Sequence, residues 1–177
     1  MEVGKLYFLK DEYLEKFNLT LNKGPGHDRP FLCCHEDKFC PDIKWIVPLS
    51  SKLDRYEEIY RGQIEHTGKC NSIDFTYLFN RKSVVRINAA FPVTDQYVKN
   101  IYVNPDTGKD LQIKNKDQNR IEHKLKKLIV IQGQGHNIFY NDVFDMQKRL
   151  VNELAQLANS VDEMNEHVIQ PDMPVSV

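Results

Sequence analysis

The sequence predicts an α+β protein, a small antiparallel β-barrel with flanking helices. Its first half is a series of short β-prone runs separated by turn residues, without the helix-length spacing of βαβ units. Its second half carries two amphipathic helical patterns. At 177 residues and 41% apolar composition, the chain has the size and the material for one domain with an ordinary core. One domain is expected over residues 1–160, with 117–160 as a helical annex and 161–177 as a mobile tail.

The elements follow in order. Val3 to Leu9 is apolar and β-prone, and reads as a first strand. Tyr13, Leu14 and Phe17 have helical spacing within Asp11–Phe17. Asn22–Pro30, with two glycines and two prolines, is a loop. Phe31–Cys34 and Trp45–Leu49 are strands around a polar connection. Leu53–Gly68 reads either as a helix, from Tyr56, Ile59 and Tyr60, or as an extended flap. Ser72–Leu78 and Ser83–Ile87 form a hairpin with a basic turn at Phe79–Lys82. Pro92 breaks the next apolar run, and Pro105–Gly108 is a strong turn. Ile121, Leu125, Leu128 and Ile129 then lie on one helical stripe. Val143, Met146, Leu150, Leu154 and Leu157 form another, behind a possible N-cap at Asp142, ending near Ser160.

Charge is nearly balanced, with 24 basic and 25 acidic residues, so the total does not mark a strongly basic nucleic-acid binder. The basic residues are nevertheless uneven. Between Lys109 and Lys127 there are seven Lys or Arg against three acids. Such a run is ordinarily a solvated helix face, but Lys52, Arg81, Lys82 and Arg86 add to it the makings of a nucleic-acid surface. Met1 is followed by no signal-peptide pattern and no apolar run reaches membrane-spanning length, so a cytoplasmic protein is expected. Cys33, Cys34, Cys40 and Cys70 match no metal-ligand spacing and read as reduced structural thiols; neither a metal nor a cofactor is expected. Gly133–His136 lacks a phosphate-loop pattern and reads as a helix connector.

The main functional signal is a hydroxyl pair and a cation, Ser50, Ser51 and Lys52, at a strand end near Arg29. That set can hold a phosphate. His27 and His66 are the accessible acid–base candidates by pKa, while turn capping and surface charge are the bland accounts of the same residues.

Four segments in order, Val3–Phe8, HDRPF at His27–Phe31, PLSSK at Pro48–Lys52 and VVRINAAFPVT at Val84–Thr94, carry a resemblance. The chain resembles the endoribonuclease toxins of type III toxin–antitoxin and phage-exclusion systems, the ToxN, AbiQ and CptN group, most of all its CptN-like branch. HDRPF and the hydroxyl-rich strand end are more distantly similar to the MazF/PemK toxins, which implies that the barrel is SH3-like. The resemblance further implies an endoribonuclease without a metal requirement. A small repetitive RNA antitoxin would restrain it in a closed hetero-oligomeric RNA–protein assembly, after being processed by it. Arg29, Ser50, Ser51 and Tyr13 fall on the family's basic, hydroxyl and tyrosine positions. Lys52 is a looser match, because the ToxN pattern places one more residue between serine and lysine.

The chemistry is consistent with those groups. RNA carries its own nucleophile, the 2′-OH, and cleavage leaves a 2′,3′-cyclic phosphate and a 5′-OH. The protein must align that attack, move protons and stabilise phosphoryl charge. The candidate catalytic set is Ser51, Arg29, Lys52, Ser50, Tyr13 and His66. Candidate RNA contacts are Lys5, Lys23, His27, Arg55, Arg81, Lys82, Arg86, Lys114, Lys116 and Lys124. A non-catalytic RNA-binding module and a MazF-type toxin with a protein antitoxin are the alternatives.

Overall fold

The eight-residue strand Ile43–Ser50 (β3) organises the molecule, and its run of buried side chains from Trp45 to Leu49 marks it as covered on both faces. The computed structural model describes residues 1–19 and 29–168. Along one edge β3 pairs with Phe31–Glu36 (β2), which pairs with Leu6–Leu9 (β1), which in turn pairs with Val98–Ile101 (β7). Its other edge is shared by two strands. Ile43 to Ile46 face Phe91–Thr94 (β6), whereas Leu49 and Ser50 face Arg81–Arg86 (β5), the partner of Ile73–Leu78 (β4). Pro48 falls at the changeover between the two, where a residue with no N–H to donate is tolerated.

The expected barrel, SH3-like or otherwise, is not what forms. The seven strands make an antiparallel sheet that stays open, ordered β4-β5-β3-β2-β1-β7 with β6 beside β3. A barrel closes when its terminal strands pair. Here the single turn of 3₁₀ helix at Ile87–Ala89 moves the chain from β5 to β6 along one edge of β3, and β7 then joins β1 at the far side. Helices supply the cover that closure would have given. Asn115–Gly133 (α3) packs on β2 and β4, and the helix Val143–Val168 (α4) packs on β6 and β3.

The core joins Trp45, Phe31, Phe91 and Ile46 of the sheet to Ile121 and Leu125 of α3 and Leu150 of α4. Asp37 ties these layers together. It accepts hydrogen bonds from Trp45 Nε1 at 3.1 Å and Gln147 Nε2 at 2.8 Å, and its other oxygen holds the turn at Phe39 and Cys40. Asp11–Lys16 (α1) buries Tyr13 and Leu14. Leu53–Thr67 (α2) is a helix, which settles the choice between helix and flap. It lies on the outer face of the β4–β5 pair over a small cluster of Cys70, Ile73 and Val84. The helix α4 continues to Val168, past Ser160; Val161, Met164 and Val168 prolong the three- and four-residue spacing of Leu150, Leu154 and Leu157. Of the expected tail, residues 169–177 lie outside the described residues.

Candidate RNA-binding cleft

Three chain segments converge at one end of the sheet. The β2–β3 register sets Phe31 against Pro48, so Arg29 and Pro30 enter the sheet beside the exit of β3 at Ser50 and Ser51. On the opposite edge Ser50 faces Val84, which brings Ser83 alongside Ser51. The result is a cleft of about 280 Å³ lined by Arg29, Ser50, Ser51, Arg81 and Ser83. Its apolar wall is Leu49, Leu78, Phe79 and Tyr102.

The wall is built by a tight hairpin turn. Phe79 and Asn80 both have positive φ, 48° and 59°, the pattern of a two-residue turn matched to the twist of its strands. Phe79 is a costly residue there, because an aromatic side chain in the left-handed region is strained. It meets the ring of Tyr102 edge-on with centroids 5.9 Å apart, and Tyr102 meets Phe8 at 5.2 Å. Two aromatic rings therefore stand beside two guanidinium groups and three hydroxyls. Ser50 Oγ accepts the Lys52 N–H at 3.3 Å, which shapes the step from β3 into α2. The α2 N-terminus has no side-chain cap, and Lys52 and Arg55 are exposed beside it.

The start of α3 is seated against the same strands. Thr76 faces Ser83 across the β4–β5 ladder and donates its hydroxyl to Asp117 at 3.0 Å. Lys114, the N-cap residue of that helix, and Lys116 in its first turn are exposed.

Other expected site residues stand elsewhere. Tyr13 is fully buried, stacks among Phe17, Phe91 and Tyr97, and donates its hydroxyl to the Pro92 carbonyl. Burial pushes its phenol well above the usual range, so it is a core residue and supplies no proton to a surface phosphate. His66 sits in the last turn of α2, about 20 Å along the helix from Ser51 at about 1.5 Å per residue. Lys5 is held between Glu2 at 2.7 Å and Asp110 at 2.9 Å. Lys82 pairs with Glu57 at 2.5 Å over the Phe75 ring. Arg86 lies between the rings of Tyr56 and Tyr140, 5.7 and 5.5 Å from their centroids. Lys23 and His27 lie outside the described residues.

Two of the seven basic residues of the run around α3 also turn inward. Arg120 and Lys124 both bond Asp74, and Lys124 reaches the Ile73 carbonyl at 3.1 Å. Burial pushes the Asp74 carboxyl up, but the bonds from Arg120, Lys124 and the Phe75 N–H outweigh it and hold the group below its ordinary value. Those two cations serve the fold. Ser83, Phe79 and Tyr102 are the cleft residues that sequence reasoning missed. Ser83 reaches the strand-end serines through the β3–β5 pairing and Tyr102 arrives through the β1–β7 pairing, and no local pattern announced either.

Among the described residues no group of three or more His, Cys, Asp or Glu side chains is placed to hold a metal ion, and no helix is long and apolar enough to cross a membrane. No protein-family model matches the chain, and no curated protein matches it at a significant level.

Proposed function

We propose that this protein is a metal-independent endoribonuclease toxin that cleaves single-stranded RNA at the cleft and is restrained by a small repetitive RNA. The observation that carries the reading is the meeting of Arg29, Ser50 and Ser51, chosen from sequence motifs, with Arg81 and two aromatic rings in one cleft. Guanidinium groups match a phosphodiester in charge and geometry, and aromatic faces stack unpaired bases. A cleft with both takes a nucleotide chain. The toxin class, its RNA antitoxin and the closed assembly rest on the ordered motif resemblance, and a cytoplasmic setting goes with that class.

In this mechanism the 2′-oxygen attacks phosphorus while the bond from phosphorus to the 5′-oxygen breaks. The 2′-proton leaves to solvent water, and a proton from solvent water returns to the departing 5′-oxygen. Arg29 and Arg81 stabilise the charge gathering on the non-bridging oxygens, and the Ser51 hydroxyl donates to one of them. Phe79 and Tyr102 fix the flanking base so that the 2′-oxygen stands in line. Lys52 adds positive potential at the strand exit.

One observation favours a second reading. The described lining of the cleft holds no histidine and no carboxylate, which suits a non-catalytic RNA-binding module. Incubation with single-stranded RNA in excess chelator, with mapping of product ends, separates the two. Cleavage to 2′,3′-cyclic phosphate ends, lost in Ser51→Ala with folding retained, is the expected result. Intact RNA, bound but uncut even when it contains repeats from upstream of the coding region, would leave the binding module.

A further inference from the structure

We propose that the groove between the second half of α3 and the turn at Lys69–Asn71 is a second phosphate site, which holds the backbone of the same RNA strand that enters the cleft. This rests on the RNA reading of the cleft. The groove encloses about 400 Å³. From α3 it is lined by His123, Lys126 and Lys127, with Val130 and Ile131 beneath. Their spacing of three and four residues places them on one helix face, away from the Ile121, Leu125 and Leu128 face that enters the core.

A lysine-bearing helix face alone is an ordinary solvated surface. Here Lys69 and Asn71 stand across from it and make it concave. They do so from a fixed backbone. Gly68, with φ of 71°, ends α2 in the left-handed conformation and turns the chain. The Thr67 hydroxyl donates to the Lys69 carbonyl at 2.8 Å, Cys70 is buried in the small cluster under α2, and Ser72 donates to Gln63 at 2.8 Å. Lys69 is thus presented from an anchored turn.

The lining contains three lysines and a histidine and no carboxylate. Lys126 is already paired with Glu122 at 2.7 Å, an acid that His35 also meets at 3.0 Å. Lys69 and Lys127 form no ion pair among the described residues, so they are the two cations open to a ligand. The groove and the cleft lie beyond opposite ends of β4, at Ile73 and Leu78. Five residues at about 3.3 Å separate those ends by about 17 Å. That is about five phosphate spacings of a duplex strand at about 3.4 Å each, and fewer for an extended single strand. Both sites lie beyond those ends, so the span between them is longer than this, and a strand of several nucleotides bridges it; the apolar floor suits its sugars.

The test measures binding of a labelled 20-nucleotide single-stranded RNA across a salt series, for the wild type and for the double variant Lys69→Gln, Lys127→Gln. Each cation that leaves a phosphate of a single strand lowers the salt slope by about 0.7, so the double variant should lose about 1.4 from the slope and bind about tenfold more weakly. Both side chains are exposed, and an unchanged melting temperature checks the fold. Unchanged affinity and slope would overturn the groove while leaving cleavage at Ser51 to its own assay. RNA that binds with the predicted slope loss yet is not cut supports the groove and removes the catalytic reading. Wild-type protein that does not bind RNA overturns both. A parallel titration with inorganic phosphate identifies the source: phosphate binding lost in the variant while RNA binding is unchanged means a small phosphate ligand, which overturns the RNA assignment.

Discussion

Arg120 meets Asp74 through its Nε, 3.1 Å from one carboxylate oxygen and 3.0 Å from the other, and so turns the middle of the most basic stretch of the chain toward the sheet. The same arginine reaches Asp117 at 2.8 Å and the Phe75 carbonyl at 2.8 Å. Lys124 completes the group from the next turn, 2.9 Å from Asp74. Through Asp117 the network continues to Thr76, so the bonds that hold α3 on β4 also set where its exposed N-terminal lysines stand relative to the cleft.

Asp74→Asn should therefore destabilise the protein by about 2–3 kcal/mol, somewhat below the loss for breaking a fully buried pair, because Arg120 keeps access to water. The pH dependence follows from the depressed carboxyl. Its stabilisation is complete above the ordinary aspartate value near pH 4 and is lost as pH falls through the lower folded value. Urea midpoints measured from pH 6 down to pH 2 should fall for the wild type and fall less for Asp74→Asn. Parallel curves would show that Asp74 does not carry the acid sensitivity.

Thiol chemistry gives an independent check on the core. Burial pushes the Cys33 thiol up to about 12 and the Cys34 thiol well above its ordinary value, while Cys70 is also enclosed. Only Cys40 is partly open. At pH 8, an aromatic disulfide reagent should label about one thiol quickly in native protein and four after denaturation. Rapid labelling of Cys34 would contradict the packing of β2 beneath α3, and rapid labelling of Cys33 would contradict its burial in the core.

Tyr13→Phe separates the motif resemblance from the structure. Removing the hydroxyl strips the Pro92 carbonyl of a buried donor, which costs about 1–2 kcal/mol. The cleavage rate per folded molecule should stay within about twofold of wild type, because the ring lies in the core. A rate loss of a hundredfold or more with the fold intact would return Tyr13 to the reaction.

The order of strands and helices was legible in the sequence because alternation and three-to-four spacing are local signals. Phe31–Cys34, Trp45–Leu49 and the α3 stripe lie within the elements observed, and Ser72–Leu78 overshoots β4 by one residue at its start. Closure was not legible. Whether β4 pairs with β7 depends on how β5 and β6 divide one edge of β3, a relation between residues 34 to 51 positions apart that no window contains. The cleft was half visible for the same reason. Arg29 and Ser50–Ser51 belong to one hairpin, whereas Arg81, Ser83 and Tyr102 reach them through pairings across the sheet. Arg120 and Lys124 look like surface cations until Asp74, on another element, is placed beneath them.

Phe79 sets stability against binding. At φ of 48° its backbone carries strain of about 1–3 kcal/mol, which asparagine, tolerant of that region, largely relieves. Phe79→Asn also forfeits the edge contact with Tyr102, about 0.5–1.5 kcal/mol, so the melting temperature should hold or rise slightly. RNA affinity should move the other way. A stacked base contributes about 1–3 kcal/mol, so the dissociation constant should increase about fivefold to a hundredfold, with the salt slope unchanged because no cation is removed. Thermal melts and binding isotherms on the same preparation read both quantities. A variant that melts no lower and binds RNA as tightly as wild type would show that the aromatic wall of the cleft takes no base, and the strain at this turn would then have no functional account.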